Sequence, residues 1–121
     1  TYLKNFFENF KDYFKLPEQN NNVRTGWLAF PLLVKENKRI KRNKLQIYLE
    51  NNYIQTRTIF TGNILRQPIM KDRYYKKHKN STKVSDDVMK NGLLIGCHHG
   101  LKLKELKYMC AIFKKYLVKK I

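Results

Sequence analysis

The sequence predicts an α+β domain: a small, mostly antiparallel three-stranded sheet with helices packed on one side. Apolar residues recur at helical spacing in three segments, 1–15, 38–51 and 103–119. Three runs of strand length and strand composition, 27–34, 54–60 and 93–97, fall between them. The resulting order is helix, strand, helix, strand, loop with a short helix, strand, helix, which lacks the regular strand–helix alternation of a parallel sheet.

Leu3, Phe6, Phe7, Phe10, Tyr13 and Phe14 form one stripe of the first helix, with Lys4, Glu8, Lys11 and Asp12 opposite. So aromatic a face is either an internal core face or a docking face for another domain. Leu16-Pro17 closes the helix, and Glu18–Gly26, with Asn20, Asn21 and Asn22, is a polar linker. The chain therefore divides into residues 1–26, a helix and linker, and residues 27–121, a small α+β domain. Trp27 to Val34 is a nearly continuous apolar run, read as a strand buried on both faces with Pro31 near an edge or bulge. Asn37 is placed to cap the second helix, in which Ile40, Leu45, Tyr48 and Leu49 share a face. Asn51-Asn52 stops it, the second asparagine being suited to the left-handed region.

Residues 54–60 alternate Ile54, Thr56, Thr58 and Phe60 against Gln55, Arg57 and Ile59, mostly β-branched or aromatic. Gly62-Asn63 turns the backbone sharply, and Gln67-Pro68 halts the segment. A strand ending in a glycine-bent polar turn that carries an arginine and two amides is a common way to present donors to a ligand. Ile69 to Asn80 is a basic, aromatic loop. Ser85 caps a short helix with Asp86 and Asp87 at its positive end, and Gly92 ends it. Leu93–Cys97 is the third strand, His98-His99-Gly100 a turn, and Leu103–Lys119 the last helix, with Leu106, Met109, Cys110, Phe113 and Leu117 inward.

At 121 residues the chain is one domain's worth. No apolar run approaches the roughly 18 residues that cross a bilayer, and no charged-then-apolar leader is seen. Two cysteines are too few for a disulfide framework, so a reducing cytoplasm is the expected setting. The 26 basic and 9 acidic residues give a net charge of +17, which attracts nucleic acid, anionic membrane or a phosphorylated ligand. Tyrosines interleaved with lysines between Tyr74 and Lys79 are the feature most favourable to a nucleic-acid-binding module. Cys97, His98, His99 and Cys110 contain zinc-type ligands, but Cys110 lies on a helix's inward stripe and adjacent histidines rarely share one metal, so no metal site is expected. No phosphate-binding glycine loop and no nucleophile elbow occurs.

Thr56-Arg57, Phe60-Thr61-Gly62-Asn63 and Gln67-Pro68 together resemble the small-domain signature of the DegT–DnrJ–EryC–StrS group. Two further matches lie in the same order: Phe14-Lys15-Leu16-Pro17 before Trp27–Pro31, and Val88 to Leu101. The resemblance spans about residues 14 to 118. It implies the C-terminal domain of a fold-type-I pyridoxal-phosphate enzyme, closest to the CDP-4-dehydro-6-deoxyglucose 3-dehydratase-like branch. It also implies a nucleotide-sugar 3-dehydratase or aminotransferase of deoxysugar (lipopolysaccharide or O-antigen) biosynthesis. In the whole enzyme the cofactor is pyridoxal or pyridoxamine phosphate on a large domain, with an iron–sulfur cluster in one subclass. The family is usually dimeric. This chain, lacking the large domain, is expected to hold no cofactor and to be inactive alone. The matched motif makes Arg57, Gly62, Asn63 and Gln67 substrate-binding candidates, with His98 and His99 lining the same edge. Asp87 before Val88-Met89, and the Gly-Cys-His-His-Gly turn, depart from the pattern of some 3-dehydratases.

Overall fold

A computed structural model describes residues 2–36, 39–76 and 82–119. Helix α1 spans Tyr2–Glu8, strand β1 Phe14–Lys15, β2 Ala29–Val34, helix α2 Arg42–Glu50 and β3 Thr56–Arg57. Two single-turn 3₁₀ helices, Ile64–Arg66 and Pro68–Met70, lead toward α3 (Thr82–Asn91), which runs straight into β4 (Gly92–Gly96); α4 (Leu103–Val118) follows. The sheet is wholly antiparallel in the order β1-β2-β4-β3. Among the described residues it has four strands where the sequence announced three. The extra one is the two-residue β1, taken from what reads as the end of the first helix.

The difference has a local cause. The Asn9 side-chain amide donates to the carbonyls of Asn5 (3.3 Å) and Phe6 (3.2 Å), closing α1 after two turns. The chain then bends, and Lys35 N–H donates to Tyr13 O at 2.8 Å as Phe14 pairs with Val34. The aromatic stripe survives this change of backbone because helix and turn deliver it to one place. Phe7, fully buried, packs at 4.9 Å from Phe113, 5.5 Å from Phe14 and 5.7 Å from Phe30, centroid to centroid. Of the two readings of residues 1–15, the internal core face is the one observed. α1 and β1 thus join the same core and sheet as the rest of the chain.

β2 and β4 alternate. Phe30, Leu32 and Val34, with Leu93 and Ile95 beside them, are buried under α1, α2 and α4. Pro31, Leu33 and Leu94, on the opposite face, are only half-buried. Residues 27–34 are therefore fully buried on one face and not on both, and Trp27 and Leu28 stand before the strand, exposed. Pro31 sits in the middle of β2, opposite Leu94.

Leu45 and Leu49 of α2 are inward as expected, and Tyr48 packs on Tyr116 of α4 at 4.9 Å. The α2 cap expected at Asn37 lies outside the described residues; Lys41 precedes the helix without a side-chain cap. At the other end Tyr53, not Asn52, takes the left-handed conformation (φ 59°). The Ile54 N–H reaches Leu49 O and the Tyr53 N–H reaches Glu50 O, both at 3.0 Å, the pair of bonds that ends a helix on a left-handed residue. The third helix begins at Thr82, so Ser85, Asp86 and Asp87 lie inside it and not at its cap. On α4 the expected inward residues are buried or half-buried, and Tyr116 joins them.

Candidate functional site

The segment from Thr56 to Gln67 is held by side-chain hydrogen bonds to α2, to α3 and within itself. Thr56 faces the core and donates both its N–H (2.8 Å) and its hydroxyl (2.5 Å) to Glu50 Oε1. Those two bonds hold the Glu50 carboxyl below its ordinary pKa. Arg57 therefore points the other way. Its register partner is Leu94, so it stands on the sheet face opposite α1, α2 and α4, exposed and without an ion pair among the described residues.

Strand alternation breaks after Arg57. Phe60 adopts φ 46°, a left-handed conformation costly for a non-glycine residue, and its ring is 89% exposed. The Thr58 hydroxyl bonds to Phe60 O at 3.3 Å, and Gly62 N–H closes the turn on Ile59 O at 3.0 Å. Gly62 itself has φ +69°, and a Cβ there would fall 2.3 Å from the Cβ of Met89 on α3. Only a glycine lets the turn and the helix approach so closely.

Asn63 is buried, and both ends of its amide are engaged. Oδ1 accepts from Leu65 N–H at 3.0 Å, and Nδ2 donates to Asp86 Oδ1 at 2.8 Å. Arg66 binds the same carboxylate through Nε (3.0 Å) and Nη2 (2.9 Å), a bidentate pair. Arg66 first, and Asn63 after it, hold the Asp86 carboxyl down to about 2. The Gln67 amide donates to Thr61 O at 2.9 Å. Gly62, Asn63 and Gln67 thus fix the shape of the turn, while Arg57 stands exposed on the sheet face opposite α1, α2 and α4. Asp86 and Arg66, which complete this lock, were not singled out from the sequence. The signal in the sequence was an acid read as a helix-dipole partner at the start of a helix, although Asp86 lies inside α3.

His98 and His99 do not join this group. β3 runs antiparallel to β4, so the turn after Arg57 lies at the Gly92 end of β4 and the histidines at the Gly96 end. The four steps from Gly92 to Gly96 separate the ends by about 13 Å. Both rings are exposed, and His98 Nδ1 accepts from Gly100 N–H at 3.2 Å. Among the described residues no group of three or more His, Cys, Asp or Glu side chains is placed to hold a metal. Nor is any helix among them long and apolar enough to cross a membrane.

The fold is shared with solved proteins of the pyridoxal-phosphate aminotransferase fold. An aminotransferase from Brucella abortus superposes with a TM-score of 0.76 over 95% of this chain and 29% of its own, at 19% identity. The Escherichia coli GDP-4-keto-6-deoxy-D-mannose 3-dehydratase, solved with bound hydrated PLP, gives 0.75 over 91% of this chain and 28% of its own, at 26% identity. The chain belongs to the DegT/DnrJ/EryC1/StrS aminotransferase family, whose sequence profile matches residues 1–114. Among curated relatives, the lipopolysaccharide biosynthesis protein RfbH of Salmonella typhimurium is 29% identical over 116 residues, 96% of this chain and 26% of that protein. The dehydratase of Escherichia coli O55:H7 is 29% identical over 110 residues, 90% of this chain and 28% of its own length. The chain spans about a quarter of these relatives and corresponds to their C-terminal part.

Every described lysine is exposed, so none of them is enclosed as a Schiff-base amine would be.

Proposed function

We propose that this chain is the small lobe of a nucleotide-sugar 3-dehydratase or aminotransferase that uses pyridoxal or pyridoxamine phosphate, serving deoxysugar supply for lipopolysaccharide. The named relatives and the family support the reaction class. The observation that carries the lobe's role is Arg57, an exposed guanidinium on the sheet face opposite α1, α2 and α4, beside a turn locked against α3. A planar, permanently charged fork at a fixed position suits a phosphate or carboxylate of a nucleotide sugar or cofactor. Gly62, Asn63 and Gln67 keep the turn in one shape, so the cation is presented with little ordering left to do on binding. The cofactor itself, and the group that moves protons on the sugar, belong to the larger lobe. This lobe closes the cleft, shapes its sugar end and acts in the cytoplasm within a dimeric enzyme. His98 and His99 edge the opposite end of the same sheet, where they face a different part of the ligand or of the larger lobe.

The test is a reconstitution. Purified alone, the chain develops no absorbance of bound pyridoxal phosphate and turns over no GDP- or CDP-linked 4-keto sugar. Supplied with the cofactor-binding lobe of the same enzyme, it gives turnover that Arg57→Ala lowers by at least about tenfold in kcat/KM, the size expected for one charge-assisted hydrogen-bonded pair. Cofactor absorbance or turnover by the isolated chain overturns the proposal, and so does an Arg57→Ala assembly with undiminished kcat/KM.

A further inference from the structure

The outward face of α4 carries cations and no acid. Lys104, Lys107, Lys114 and Lys115 are exposed on it, and Lys119 continues the face at the helix end. None of the five forms an ion pair among the described residues. At about 100° per residue, Lys104, Tyr108, Lys115 and Lys119 lie within roughly 60° of one another, and Lys107 and Lys114 flank that stripe. The one acid of the helix, Glu105, is turned back to accept from the Lys102 backbone N–H. From Lys104 to Lys119 the row runs about 22 Å.

Two tyrosines interrupt it. Tyr108 is half-exposed, and its hydroxyl donates to Asn52 O at 3.1 Å, which brings the end of α2 against the row. The next residue is Tyr53, whose ring is 96% exposed at a left-handed position where glycine or asparagine is the low-cost choice. Asn52 stands immediately before it, yet the tyrosine takes the strained place. Solvent-facing rings beside a row of unpaired lysines are the two ingredients of single-strand nucleic-acid binding, stacking and backbone neutralisation. A bilayer is a poorer match. The apolar side of α4, from Met109 to Leu117, is spent in the core, which leaves no apolar helix face to insert.

We infer that the outer face of α4, with Tyr53 and Tyr108, binds single-stranded nucleic acid. This is a function separate from the candidate sugar site, and it does not depend on the reading of that site.

The experiment uses the full chain and a fluorescein-labelled oligo-dT of about 20 nucleotides, with affinity measured by anisotropy over a range of NaCl concentrations. Replacing Lys104, Lys107, Lys114, Lys115 and Lys119 by Gln is expected to flatten the slope of log K against log salt by about 3.5, given about 0.7 per neutralised phosphate on a single strand. Removing the same charge at the exposed Lys4, Lys11, Lys71, Lys76 and Lys83 changes the slope by less than about 1. Tyr53→Gly removes the backbone strain, so the variant folds at least as stably, yet it binds at least about fivefold more weakly through loss of one stacking partner. Equal effects of the two lysine sets mean diffuse charge attraction, and overturn the assignment. It is equally overturned if the α4 set weakens binding to phosphatidylserine vesicles while leaving the oligonucleotide isotherm unchanged, or if Tyr53→Gly binds as tightly as the parent chain.

Discussion

Single residues decide the shape of the candidate site, and several were chosen for geometry, not chemistry. Gly62→Ala introduces a methyl group into the Cβ of Met89 at a positive φ. Strain and overpacking together should cost about 2–4 kcal/mol of unfolding free energy, measured by urea titration. Asp86 gives a pH signature. Its folded pKa, near 2, lies below the ordinary aspartate value near 3.8, so its contribution is complete above that range and fades as pH falls through it. Acid titration of stability from pH 5 to pH 2 should therefore fall less steeply for Asp86→Asn than for the parent chain. Burial pushes the Cys110 thiol up to about 11 and raises that of Cys97 to a lesser degree. Alkylation of the native chain at pH 8 should label Cys97 slowly and Cys110 only after unfolding, as read by intact mass. The turn that Gly62, Asn63 and Gln67 shape was legible in the sequence because its residues are close along the chain. That Asn63 and Arg66 share a carboxylate was not, because Asp86 arrives from another element.

At the level of elements, the sequence predicted best where periodicity was long. α4 was placed to within a residue at its end, and the inward faces of α2 and α4 were read correctly. Short strands resisted prediction because pairing, not composition, defines them. Phe14–Lys15 becomes a strand only through Val34 and Leu33, and β3 shrinks to two residues once the turn at Phe60 takes over. An antiparallel sheet was expected, but its consequence for β3 beside β4, the separation of the histidines from the Gly-Asn turn, was not drawn from the sequence. The aromatic segment at the start of the chain is a structural element of the domain. Phe7→Ala should cost about 3–5 kcal/mol, since its ring fills the junction of α1, β1, β2 and α4. A value under about 1 kcal/mol by chemical denaturation would mean that α1 is a detachable appendage.

Taken whole, the molecule sets α1, α2 and α4 on one face of a sheet whose other face carries Arg57, Lys15 and half-buried aliphatics, with α3 alongside Lys15 and Leu33. That asymmetry suits one lobe of a larger enzyme, whereas the resemblance to the family rests on the motifs at 14–31, 56–68 and 88–101. One core contains residues from α1, α2, α4 and the sheet, so circular dichroism and tryptophan fluorescence should report a single, coincident unfolding transition. The central pairing of β2 with β4 joins residues on either side of everything from Lys35 to Asn91. Such a long excursion between partners slows the search for the native topology. It also means that a protease nicking the exposed stretch at Lys71–Lys76 would not release half a domain. Each fragment would keep one of the two innermost strands, and the pieces would elute together until denaturant parted them.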